Sequence, residues 1–261
     1  LSVLYGVSTL GCFLATLVGL GLSSFLHGDW VWRCAYGLSG VFFIFYLIFL
    51  PSSHTHPVQK EPSTPKNLAL SKMLCAQAKP IFACMMLCTV MASMYYIFAA
   101  YMVHYMMDQL GFDPAKAFLI NALALLFASL IYPLGGYMSD RYSAHKIFYL
   151  ALAFLALGIF PCLYLLHSKT FIMVSGVMMF LLFLLCMIQG PVSPRLVEPF
   201  DQGPSTTLLS IAYNLGNGIS GIAPLLALML VHHFALYGLG FFILALLLMG
   251  LLSYRMLCQK P

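Results

Sequence analysis

Tyr132-Pro133-Leu134-Gly135-Gly136-Tyr137-Met138-Ser139-Asp140-Arg141-Tyr142-Ser143-Ala144-His145-Lys146 decides the fold. This stretch joins two long apolar runs through one short turn. The turn brings together a small-residue pair, an acid and the potentially cationic Arg141, His145 and Lys146. A connection this short obliges the flanking helices to run antiparallel beside each other. The surrounding chain explains what those helices are for. It is 62% hydrophobic and only 7% charged, whereas a soluble domain carries about 25% charged residues. The composition therefore points to an all-α, polytopic membrane protein. A membrane barrel would show short alternating segments. Here the apolar runs are long and continuous, and a helix satisfies its own backbone in lipid.

Working outward, runs of about 20 apolar residues predict about eight transmembrane helices. They fall at Ser2–Leu26, Trp32–Leu50, Pro80–Met107, Pro114–Tyr137, His145–Leu166, Phe171–Gln189, Thr207–Val231 and Tyr237–Met256. Pro51 ends the second run, and Pro191-Val192-Ser193-Pro194-Arg195 interrupts the pattern after the sixth. The composition changes once, between Ser52 and Lys79, where Pro57, Pro62, Pro65 and four lysines lie close together. The organisation expected is two helices in residues 1–50, a linker in 51–79 with a short amphipathic helix around Leu68–Ala76, and six helices in 80–261.

The basic residues set the orientation. With Leu1 on the cytoplasmic side, Lys60, Lys66, Lys72, Lys79, Arg141, Lys146, Arg195, Arg255 and Lys260 fall inside. Only Arg33, Lys116 and Lys169 fall outside. This asymmetry is the positive-inside pattern, and it places both ends of the chain, the linker and the Asp140 turn in the cytoplasm.

Several function classes lose support. The net charge of +5 is spread one or two residues per loop, which is no footprint for nucleic acid. The eight cysteines lie mostly in apolar runs without a C-x-x-C pair, and Cys84 and Cys88 read as small core residues. His54 and His56 form H-x-H without further metal ligands. There is no G-x-S-x-G elbow and no phosphate loop of the G-x-x-x-x-G-K type. No enzyme, metal site or cofactor is expected.

Gly136-x-x-x-Asp140-Arg141 resembles the signature loop of the major facilitator superfamily, approximately G-x-x-x-D-R-x-G-R-K. Three further stretches resemble one branch, the metabolite:proton symporters that include proline/betaine transporters. They are Trp30-Val31-Trp32-Arg33, the tyrosine-rich run Tyr95-Tyr96 through Tyr101 and Tyr105 to Leu110-Gly111-Phe112, and Glu198-Pro199-Phe200 followed by Ser210-Ile211-Ala212-Tyr213-Asn214-Leu215-Gly216. The matches are collinear along nearly the whole chain. Ser143-Ala144-His145-Lys146 departs from the basic run the family shows after Arg141. Cys34-Ala35-Tyr36 lacks the family's Pro, and Ser205 stands about where the family has an Arg.

The resemblance implies a twelve-helix fold of two six-helix halves. The first helix here would correspond to the family's fifth and the last to its twelfth, with four helices ahead of Leu1. It implies a secondary transporter of small metabolites or osmolytes, proton-coupled, working by alternating access in a bacterial inner membrane. Its partners would be a small-molecule substrate, protons and the lipid bilayer. Gly136, Asp140 and Arg141 would belong to the cytoplasmic gate, the glycine allowing helix contact and the acid pairing with a cation or a helix N-terminus. Substrate would bind near mid-membrane between the halves. The cavity candidates are Tyr96, Tyr101, Asn121, Gln189, Tyr213 and Asn217, because polar groups in lipid need a partner or a cavity. Tyr213 and Asn217 share a helix face. His104 is the proton-coupling candidate, since imidazole titrates near neutrality. No acid falls within an apolar run. The alternative from another class is a truncated, non-transporting membrane protein or interaction subunit.

Overall fold

A computed structural model describes residues 2–25, 30–49, 75, 77–200 and 205–258. All regular structure among these residues is helical. The helices are α1 (Ser2–Phe25), α2 (Trp30–Phe49), α3 (Ala78–Asp108), α4 (Pro114–Arg141), α5 (Ala144–Leu166), α6 (Phe171–Val197), α7 (Ser205–Ser220) and α8 (Ala223–Cys258). The predicted amphipathic helix around Leu68–Ala76 and nearly all of the linker lie outside the described residues.

Six helical stretches among the described residues are long and apolar enough to cross a membrane, with a shorter apolar helix at Tyr36–Ile48. The last stretch, Thr207–Cys258, has 52 residues. Straight, it would reach about 78 Å, more than twice a bilayer's apolar thickness. It is broken instead at Phe234 and Ala235, where φ becomes +51° at Ala235. Gly238 then lies against the Leu230 carbonyl. The chain thus forms two passes there, in keeping with the two helices predicted. The first pass has its own break at Gly221-Ile222, because Pro224 lacks the N–H that the Ser220 carbonyl would accept. The Gly221 and Ile222 amides instead donate to the Gly218 and Ile219 carbonyls, three residues back.

Two predicted boundaries are corrected. The fourth helix does not end at Tyr137 but runs through Asp140 to Arg141, leaving only Tyr142 and Ser143 before α5. The sixth does not stop at Gln189. It continues two turns through Pro191 and Pro194 to Val197, followed by a short 3₁₀ turn, Glu198–Phe200. Proline inside a membrane helix is tolerated where neighbouring groups re-satisfy the backbone, and residues 189–193 are buried among other helices.

The fold packs α4 between α1 and α6, and α3 between α7 and α8, while α5 lies against α6 and α8. Close approach at the α4–α6 crossing depends on two glycines. A Cβ on Gly190 would sit 2.9 Å from the Gly135 carbonyl carbon, and one on Gly135 would sit 3.0 Å from the Cys186 carbonyl oxygen. Small residues are what let membrane helices pack this tightly. Large apolar side chains such as Leu130, Leu157, Ile172 and Phe241 are more than half exposed, which suits a surface facing lipid. The chain is an integral, multi-pass membrane protein.

Two contacts fix which ends lie together. Ser2 packs against Gly136, and the Tyr254 hydroxyl lies 3.1 Å from His145 Nδ1. The start of α1, the Asp140 turn and the end of α8 therefore share one end of the bundle.

Candidate functional site

The central cavity has a volume of about 300 Å³ and is bounded by α1, α3, α4, α6 and α7. Helical spacing explains its wall. Tyr5, Ser8, Thr9 and Cys12 recur at intervals of three and four on α1, and so do Cys88, Met91, Ala92, Tyr95 and Tyr96 on α3. Each set forms one stripe facing inward. From α6 come Gln189, Val192, Ser193 and Leu196; from α7, Tyr213 and Asn217.

Buried hydrogen bonds tie this wall together. The Tyr132 hydroxyl donates to Gln189 Oε1 at 2.5 Å, and Gln189 Nε2 donates to the Met91 carbonyl at 3.3 Å. One side chain thus links α3, α4 and α6. Ser193 Oγ returns a bond to the Gln189 carbonyl at 3.0 Å. The Tyr5 ring stacks on Tyr132 with centroids 5.9 Å apart, bringing α1 onto the same assembly. The Tyr95 hydroxyl is buried beside Cys12 and Thr9.

Of the residues singled out from sequence, Tyr96, Gln189, Tyr213 and Asn217 line this cavity, whereas Tyr101 and Asn121 do not. Tyr101 closes a π-helical turn, Ile97–Tyr101, and is buried against Tyr105. Asn121 is buried on α4 with Oδ1 unpartnered. Asn217 Nδ2 donates to the Tyr213 carbonyl one turn back. His104 is exposed, its ring 6.5 Å from that of Tyr101, and lies outside the cavity. Tyr5, Thr9, Tyr132 and Ser193 are additional lining residues that the sequence reading did not select. The four-residue interval from Tyr5 to Thr9, with Cys12 one turn further on, was the available signal.

No described acidic or basic side chain lines the cavity. The described carboxylates Asp108, Asp113, Asp140 and Glu198 are all exposed, as their placement at helix ends predicted. At the signature turn, Gly136 lies where α4 meets α1. Arg141 folds back onto its own helix end: Nη1 donates to the Tyr137 hydroxyl at 2.9 Å, and the guanidinium stands 5.8 Å from the Tyr142 ring centroid. Asp140 forms no ion pair among the described residues. The ion pair found there is Arg195–Glu198 at 2.7 Å, at the end of α6.

Residues 1–224 match the family model of the Major Facilitator Superfamily. The chain is also similar to a citrate-proton symporter from Klebsiella pneumoniae, with 24% identity over 238 residues covering 87% of this chain and 53% of that protein. It thus spans about half the length of that curated relative. No solved structure gives a significant match. With the family model covering most of its length, the chain belongs to the Major Facilitator Superfamily.

Proposed function

We propose that this chain forms part of a proton-coupled secondary transporter of small metabolites or osmolytes. Residues 1–50 are the last two helices of an N-terminal half, 51–79 the cytoplasmic linker, and 80–261 the six-helix C-terminal half. The protein works by alternating access in a bacterial inner membrane, with both ends of this chain cytoplasmic. The observation that carries this reading is the central cavity, where polar groups from five helices converge inside an otherwise apolar bundle. Such groups are costly in a membrane unless they serve a cavity.

The wall also restricts the substrate. Tyr5, Tyr95, Tyr96, Tyr132 and Tyr213 offer aromatic faces and hydroxyls, and Gln189 and Asn217 offer amides. This chain's share of the wall suits an uncharged or zwitterionic solute, whose cationic group rests on ring faces. Proton coupling is supported by the symporter relative rather than by a titratable group in this wall.

The direct experiment is uptake by the full-length protein in proteoliposomes under an imposed proton gradient, offering a zwitterion, a polyol and a tricarboxylate. Stimulated uptake of the zwitterion or polyol is expected. Absence of gradient-stimulated uptake for every solute would overturn coupling, and exclusive tricarboxylate uptake would overturn the substrate reading.

A further inference from the structure

We propose that the groove between the end of α5 and the break in α8 is a site for one anionic phospholipid, with an acyl chain in the groove and the phosphate at Ser168 and Lys169. The site lies at the end of the bundle opposite the Asp140 turn and is separate from the central cavity. The groove has a volume of about 500 Å³, within the range of about 300–1,000 Å³ that small-molecule sites occupy. Its walls are Phe160, Leu163 and Leu165 on α5, and Ala235 and Leu236 on α8.

Two left-handed residues open it. Lys169 has φ +52° in the turn after α5, and Ala235 has φ +51° at the break in α8. Side chains rarely allow that conformation, and at both places the chain leaves its helix axis, so the two helices part. About one turn further in they close again. A Cβ on Gly240 would stand 2.6 Å from the Phe160 ring, and that ring meets Phe241 edge to face with centroids 5.4 Å apart. Phe160 is therefore the floor. From Phe160 to Ser168 the lining covers eight positions, or about 12 Å of helix.

The mouth opens on the lipid-facing surface, where Tyr164 is 77% exposed and Tyr237 69%. Tyrosines at helix ends sit at the headgroup level of a bilayer, so a chain entering between them lies along Leu163, Leu165 and Leu236. Apolar contact alone does not hold it, because other tails solvate a lipid tail as well as leucine does. Charge supplies the selection. His167 and Ser168 line the mouth, and Lys169, His232 and His233 are exposed in the two turns that flank it. Residues 167–170 and 232–237 contain no acid. Asp108 and Asp113 stand at this end of the bundle on α3 and α4, outside the pair of helices that forms the groove. A hydroxyl, an imidazole and an ammonium offer donors to a phosphate, and basic pockets at helix ends hold anionic head groups.

The purified full-length protein is reconstituted in phosphatidylcholine with a trace of phosphatidylglycerol carrying a diazirine on one acyl chain. After illumination the crosslinks are mapped by mass spectrometry. They should gather on residues 160–168 and 235–241, and unlabelled phosphatidylglycerol should compete while added phosphatidylcholine does not. Lys169→Gln should lower labelling of the groove about fivefold, the effect of one cation on an anionic head group. Leu165→Trp, which fills the groove, should lower it without changing the labelling of exposed faces around Leu130 and Ile172. Labelling spread evenly over those faces, or equal competition by both lipids, overturns the proposal. So does an unlabelled groove in protein that sizes as a dimer, which gives the groove to a second copy. If Leu165→Trp fails to insert, Lys169→Gln decides, because it changes only an exposed turn residue: reduced labelling supports the site, and unchanged labelling refutes it.

Discussion

Replacing Gln189 by Leu tests the bond network that holds the cavity wall. Leucine roughly keeps the volume, so little of the cost should come from a new void. Two hydrogen bonds disappear: the 2.5 Å bond from Tyr132 and the 3.3 Å bond to the Met91 carbonyl. In soluble cores such bonds contribute about 1 kcal/mol each, and a stranded buried group costs about 1–3 kcal/mol. Between membrane helices the measured couplings average about 0.6 kcal/mol and reach about 1.7 kcal/mol. The membrane scale governs here, giving about 1.2 kcal/mol for two average bonds and about 3.4 kcal/mol at the upper limit. Tyr132 is only 2% exposed, which pushes the cost upward, while the adjoining cavity lets water replace part of the loss. The expected destabilisation is about 2 kcal/mol.

The decisive quantity is the coupling between the partners. Gln189→Leu, Tyr132→Phe and the double variant would be unfolded from mixed micelles with sodium dodecyl sulfate, with helicity followed by circular dichroism. If the bond forms, the two single costs exceed the cost of the double variant by about 0.6–1.7 kcal/mol. Additivity to within about 0.3 kcal/mol would refute the bond and the rigid wall built on it.

Three further outcomes follow from the structure. Gly216→Leu should destabilise the protein by about 1–3 kcal/mol, because even a Cβ there would stand 2.7 Å from the Met85 carbonyl and 2.8 Å from Cys88 Cβ; the same unfolding assay measures it. Asn217→Leu should raise KM about 5- to 10-fold with kcat preserved, as expected for a lost hydrogen bond of about 1 kcal/mol or slightly more in the bound state, and an unchanged KM removes Asn217 from the site. Asp140→Ala should lower turnover while leaving membrane insertion intact, and unchanged turnover removes Asp140 from the gate.

The fold was legible wherever a single physical rule governed a long run of residues. Lipid demands about 20 apolar residues per crossing, so composition and run length exposed the bundle. The brevity of the Asp140 connection joined α4 to α5 at one end of the bundle, yet α5 packs chiefly on α6 and α4 on α1 and α6. Helix ends were less legible because proline and glycine carry different meanings in water and in lipid. Pro191 and Pro194 looked like terminators, yet α6 passes through both inside the bundle. Gly135 and Gly136 fell inside the predicted fourth helix, with Gly136 expected at a helix contact. Both are helical, used where α4 meets α6 and α1. Pro224 did interrupt its run, but only for one turn.

The site was legible to the extent that polarity alone identifies it. Gln189 and Asn217 stood out as amides in apolar runs, and both face the cavity. Asn121 stood out equally and faces elsewhere, because which side of a helix meets a neighbour depends on rotation that a uniformly apolar segment does not reveal. That limitation is physical. Helices α4 and α6 are hydrophobic all round, as membrane spans must be, so no amphipathic stripe marks an inner face. Tyr5 and Tyr132 show the consequence. Tyrosine in a membrane segment ordinarily reads as an interfacial anchor, and only the helix crossing places these two rings on each other. The small residues that permit the crossings thus decide which aromatic residues become cavity wall. Gly135 and Gly190 set the separation of α4 and α6, and that separation puts the Tyr132 hydroxyl within reach of Gln189. A bulkier residue at either glycine would disturb the site from a distance, without touching any group that lines it.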